Sequence, residues 1–327
     1  MLKFALCVIA LLGVLGSEVM GSQHISPYQD QWNKMMALIN ALNRLYAENG
    51  FPTRAFAPVN SNPSPIFYRR VNRCQAWAFG DTNSFGIDFR QNSDEVLDFF
   101  NWPAINSIEG PDAPLHAIKP VPTWSEDRVA KLAQACAFIF FPDMAKTARV
   151  DFTYFSTDLK SGSAYYDGHW TVILRRISTE GYPFRSDFIN VDIGERTGPL
   201  SAVMRIPSNF SERQYHPISK EEASLSAAKG LDLFRKSRFS SWVQGPSTTA
   251  KMVEPPKLEV VNPYDTNATS LEDYAHSQGV NATLAWVTGY QLETPEPADV
   301  GPRGATQKYT VYIFVGAEDG RFLGADF

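Results

Sequence analysis

At 327 residues the chain has room for two or three domains rather than one. Its 44% hydrophobic and 20% charged content is that of a folded globular protein and excludes a disordered chain, while 13% aromatic residues favour sheet-rich structure. A net charge of −5 argues against a nucleic-acid partner.

The first residues read as an export signal spanning 1–21. Met1-Leu2-Lys3 is a short basic start, Phe4 to Gly16 is apolar and uncharged, and Val19-Met20-Gly21 supplies a cleavage region, so the mature chain is expected to start at Ser22. The alternative, an uncleaved anchor, needs an apolar run nearer the ~20 residues that cross a bilayer. No later stretch has the length to span a membrane, so no integral membrane domain is expected after cleavage. The expected location is secreted, periplasmic or in the cell envelope. Two cysteines then remain, Cys74 and Cys136. In an oxidising compartment they can pair as a disulfide; the other reading is two buried thiols.

Taken in chain order, three places read as helix starts of one design, an apolar residue followed by a Ser N-cap. They are Ile25-Ser26-Pro27, Trp124-Ser125-Glu126 and Ile218-Ser219-Lys220. Gln29 and Glu222 complete capping boxes in the first and third. Helical stripes follow: Met35, Leu38, Ile39, Leu42 and Leu45, with Gly50 as C-cap; then Val129, Leu132, Cys136 and Phe140, stopped at Pro142; then Ala223, Ala227 and Leu231.

Each helix is followed by strand-like sequence. The first unit has Ile66–Tyr68, Cys74–Phe79 and Phe85–Phe89. The second has Val150–Tyr154, His169–Leu174 and Phe188–Ile193. The third has Leu258–Val261, Ala282–Val287 and Tyr309–Val315. Each middle strand holds one tryptophan, Trp77, Trp170 or Trp286. Each unit ends in a hairpin in which Asp94, Gly198 and Gly320 align, at the position where a type I turn closing on a bulge needs a positive φ. Proline-rich stretches at 103–122 and 207–217 read as linkers, and 245–257 as a loop insertion in the third unit. The boundaries expected are 22–105, 106–212 and 213–327, in an α+β fold with one helix packed on an antiparallel sheet in each unit.

Ile218-Ser219-Lys220-Glu221-Glu222-Ala223, the strand Thr283–Val287 and the turns Thr197-Gly198 and Asp319-Gly320 together resemble the PepSY domain, in the tandem form of YcdB/YcdC-type repeat proteins. The resemblance implies tandem cystatin-like modules and an extracytoplasmic setting. It also implies an inhibitory or chaperone role toward secreted metallopeptidases. The family turn reads Asp-Ala-x-Thr-Gly, whereas this chain has Arg90, Gly194 and Gly316 in place of the Asp.

Chemistry is sparse. The five histidines are dispersed, no H-E-x-x-H or C-x-x-C occurs, and the 194–198 loop lacks calcium- or phosphate-loop patterns, so no metal and no cofactor is expected. Gly162-Ser163 has the wrong spacing for a hydrolase elbow. The most chemical-looking cluster is Tyr165, Tyr166, Asp167, His169 and Trp170, a ligand or partner contact, or else a hairpin turn at Asp167-Gly168 flanked by packed aromatics.

The leading expectation is a secreted, non-enzymatic binding or regulatory protein whose partner is a secreted or periplasmic peptidase. The alternatives are a structural envelope repeat protein, and a small-ligand binder or enzyme using the aromatic cluster of the second unit.

Overall fold

The structure, a computed structural model, describes residues 29–53, 57–58, 64–68, 71–79, 84–90, 95–110, 113–157, 160–205, 207–236, 249–263, 281–295 and 306–326. The signal at 1–21, the cap at Ser26 and the turn residue Asp94 lie outside these residues, as does the side chain of Cys74.

Helix α1 (Gln29–Glu48) leads into strands β1 (Ala57–Pro58), β2 (Ser64–Tyr68), β3 (Val71–Phe79), β4 (Ser84–Arg90) and β5 (Val96–Asn101). Helix α2 (Trp102–Glu109) follows, then α3 (Glu126–Phe140) and α4 (Pro142–Thr147). The middle strands are β6 (Ala148–Ser156), β7 (Lys160–Ser161), β8 (Ala164–Tyr165), β9 (His169–Ile177), β10 (Pro183–Gly194) and β11 (Gly198–Met204). Helix α5 (Lys220–Lys236) precedes β12 (Thr249–Val261), β13 (Thr283–Pro295), β14 (Thr306–Gly316) and β15 (Phe322–Asp326). The class is α+β, built on a 13-stranded sheet with a separate β7–β8 hairpin.

Local chemistry sets the helix limits. Ser125 accepts the Arg128 N–H at the start of α3, and at α5 Ser219 and Glu222 bond each other's backbone N–H in a complete capping box. Gly50 closes α1 with φ 75°. Pro142 ends α3 and takes the tolerated first position of α4. The apolar stripes of α1 and α3 are buried in one core with Ile87, Phe99, Val172 and Val191 of the sheet. Cys136 sits in that core as a fully buried free thiol, and burial pushes its pKa up, away from reactivity.

A long helix followed by a four-stranded antiparallel meander recurs along the chain: α1 with β2 to β5, α3 with β6, β9, β10 and β11, and α5 with β12 to β15. The sheet register breaks at matching steps in the last hairpin of each, Asp88/Phe89, Asp192/Ile193 and Phe314/Val315. Gly198 and Gly320 carry φ 78° and 63°, as the turn type requires.

The two junctions between these groups differ. β5 pairs antiparallel with β11, setting Phe99 opposite Ala202. Asp98 faces Asp88 and Ser201 faces Asp192, so Asp98 and Ser201 are equivalent positions; Phe99 therefore meets its own counterpart, and the first two sheets join across a local two-fold axis. The third sheet is attached through two parallel bridges, Phe210 to Ala282 and, between β10 and β12, Phe184 to Val260. Beside the latter Arg185 reaches across to Glu259 at 3.2 Å and Asp326 at 3.1 Å, and its guanidinium lies 3.9 Å above the Tyr312 ring.

Three expectations are corrected. The stretch 103–122 is no plain linker: Pro103 lies in the first turn of α2, whose Ala104 and Ile108 pack on Leu200. From Thr249 onward the supposed loop insertion is strand β12. Its Pro255-Pro256 fall where the register against β13 shifts between Glu254 and Lys257, so the missing N–H groups break no regular ladder. Finally, Trp170 and Trp286 are equivalent, each opposite the residue just after the register break (Ile193 and Val315), but Cys74 holds that place in the first unit and Trp77 faces Gly86.

Candidate functional site

The aromatic cluster predicted around Asp167 is divided between two faces of the sheet. Asp167-Gly168 is not a hairpin turn. The chain reverses at Gly162, with φ 63°, between β7 and β8, and 166–168 then runs into β9. Gly168 is demanded by space, since a Cβ there would lie 2.3 Å from the Phe155 ring. Tyr165 bonds through its backbone to His116 in both directions, at 2.8 and 2.9 Å. Tyr166 is half-buried. Trp170 points into the α3 side, packed on Phe155 with ring centroids 5.2 Å apart. His169, one residue earlier, opens on the opposite face.

Residues distant in sequence complete the arrangement. Asp167 Oδ1 lies 2.6 Å from His116 Nε2, and Arg196 of the β10–β11 turn meets its other oxygen. In the same turn, Glu195 accepts bonds from the Trp170 indole N–H (2.9 Å), the Trp124 N–H (3.0 Å), the Thr123 N–H (2.9 Å) and the Thr123 hydroxyl. Burial alone would raise the Glu195 pKa, but the bonds from Thr123, Trp170 and the two backbone N–H groups outweigh it and hold the carboxyl below its ordinary value. These contacts fasten the segment 113–123, a strap, across the end of the second sheet. Gly194 fits this crowding: a Cβ there would come within 2.3 Å of Thr197 Oγ1 and 2.5 Å of Ile108.

Beside the strap lies a half-open cavity of about 260 Å³, with Ile108, Pro120, Val121, Trp124, Phe155 and Asp167 on its walls. Leu115, Ile118 and Val121 of the strap expose 50, 82 and 75% of their surface. On the opposite face a second cavity, about 230 Å³, is walled by Phe100, Trp102, Ile105, Glu109 and His169, with Asp192 at its side. Asp192 is held by the Thr171 and Ser201 hydroxyls at 2.7 and 2.8 Å.

Sequence reading missed His116, Trp124, Glu195 and Arg196 as members of the site. A signal for Glu195 was present: a buried indole N–H at Trp170 needs an acceptor, and the turn that follows it in space supplies one carboxylate. The equivalent Trp286 N–H has no hydrogen-bond acceptor among the described residues, and Ala317 stands where the second unit has Glu195.

No family model matches the chain, and no curated protein sequence matches it. Among solved structures, the Bacillus megaterium YpeB C-terminal domain is similar at a TM-score of 0.41 and 9% identity, covering 88% of this chain and 95% of that one.

Proposed function

We propose that this chain is an exported, non-enzymatic binding and regulatory protein of tandem PepSY-like modules, and that it acts on a secreted or periplasmic peptidase. The observation that carries the reading is the strap at 113–123. Its polar anchors are consumed in holding it: Glu195 takes four donors, and Asp167 takes His116 and Arg196. Its apolar side chains face outward instead, next to a half-open cavity. Chemistry locked into scaffold beside exposed apolar surface suits the contact of a partner chain better than turnover of a substrate. The sequence features 1–21 support export.

The test is to titrate the purified mature chain against the peptidase activity secreted by its host. Saturable binding with altered peptidase activity is expected, and Ile118→Asp with Val121→Asp should weaken it about tenfold or more. Neither binding nor any change of activity would sink the proposal.

A second reading, binding of a small aromatic or cationic ligand, is favoured by the other cavity. There Phe100 and Trp102 stack at 5.8 Å beside Glu109 and His169. Trp102→Ala would abolish such binding and leave the strap contact untouched.

A further inference from the structure

The outermost strand beside the second unit is β6, which pairs with β9 and, among the described residues, with no other strand. Open edges invite pairing with another chain, and folded proteins guard them with charge, proline, bulges or brevity. The other edges here carry such guards. β12 has Lys251, Glu254, Pro255, Pro256 and Lys257, β2 has Pro65, and β15 spans five residues. β6 is guarded at its start alone, where a register shift sets Asp151 aside to meet Arg175 at 2.7 Å. From there Phe152-Thr153-Tyr154-Phe155-Ser156 runs on without a charge or a proline. Phe152 and Tyr154, on one face, expose 53 and 43% of their surface, with their rings 5.3 Å apart.

We infer that β6 is a self-association edge, taking the β6 of a second copy antiparallel to it across a two-fold axis at Thr153. Two observations select a second copy over an unrelated strand. The first is that the fold already contains such a junction: β5 and β11 join equivalent strands edge to edge, antiparallel, with Phe99 opposite its counterpart Ala202. Pairing β6 with itself repeats that geometry and continues the same sheet. The second is self-complementarity. With Thr153 on the axis, Phe152 of each copy faces Tyr154 of the other, and the four rings close into one cluster. Asp151 then faces Phe155, so no like charges meet within this stretch.

The prediction is read from the mass of the mature chain by sedimentation or light scattering, with circular dichroism to confirm folding. The wild type should be a dimer in the micromolar range. Phe152→Lys and Tyr154→Glu, both at exposed positions, should each weaken the dimer about tenfold or more by placing like charges beside the axis while leaving the fold intact. Mixing the two variants should restore a heterodimer, because Lys at 152 then faces Glu at 154 across the axis. A monomeric wild type overturns the inference. So does a dimer indifferent to both substitutions, or one that either weakens but the mixture does not restore. Binding of an extended peptide by a chain that stays monomeric also overturns it.

Discussion

The second and third units place tryptophan at the same sheet position and surround it differently. Trp170 donates to Glu195, and Glu195 gathers the strap through Trp124 and Thr123. Trp286 has Ala317 at the matching turn position, and its indole N–H is buried without an acceptor among the described residues. There the start of α5 is held by main chain instead: Ile218 N–H donates to the Ala317 carbonyl at 2.8 Å. The neighbouring charges are exchanged as well. Arg196 binds Asp167, whereas Glu318 at the corresponding place binds Arg213. The Arg213 side chain and the His216 N–H hold Glu318 down to a pKa of about 2. One backbone scaffold thus accepts either a side-chain hub or a main-chain contact at the same point, and only the hub ties a cavity wall to the sheet.

The sharpest way to break this comparison is through the turn glycines. Both need positive φ, but a Cβ at Gly198 would stand 2.8 Å from the Phe51 ring and 3.1 Å from that of Tyr46, whereas at Gly320 it would meet the Ser226 hydroxyl at 2.7 Å. A ring locked in the core yields less than a hydroxyl that can rotate. Gly198→Ala should therefore cost about 3 kcal/mol and Gly320→Ala about 1 kcal/mol in urea denaturation.

Next in size is Glu195→Ala, which strands the donors of Trp170, Trp124 and Thr123 and should cost about 2 kcal/mol. The same group has a pH signature. Its folded pKa lies below the ordinary 4.5, so its contribution is complete above that value and is lost as pH falls through the lower folded value. Glu195→Gln should remove that part of the acid-side loss of stability, while stability above pH 6 becomes lower and flatter.

The smallest effect separates the tryptophans themselves. Trp170→Phe leaves Glu195 one donor short, but Trp286→Phe removes a donor that has no acceptor among the described residues. Thermal unfolding should show the first to be more damaging by about 1 kcal/mol. Equal losses would mean that the Glu195 bond contributes nothing.

Periodicity made the local structure readable. The stripes of α1, α3 and α5, the capping box at Ser219 and the turn at Gly198 are short-range patterns whose causes lie within a few residues. What stayed hidden depends on contacts far apart in the chain. His116 meets Asp167 because Tyr165 draws the strap in by backbone bonds, and nothing near either residue announces it. Trp77 looked equivalent to the other tryptophans, but register across the sheet, not order along the chain, decides equivalence, and it gave that place to Cys74. Pro255-Pro256 suggested a loop because proline breaks a ladder, and a register shift at an open edge removed the objection.

Arg185 carries a consequence for cooperativity. Parting the first two units would tear the β5–β11 ladder and a core shared by both helices. Parting the third from the second gives up two strand bridges, the Phe184 cluster and the ion pairs and ring stacking of a single guanidinium. The joint behind β10 should therefore open before the one at β5–β11, and amide hydrogen exchange would show it.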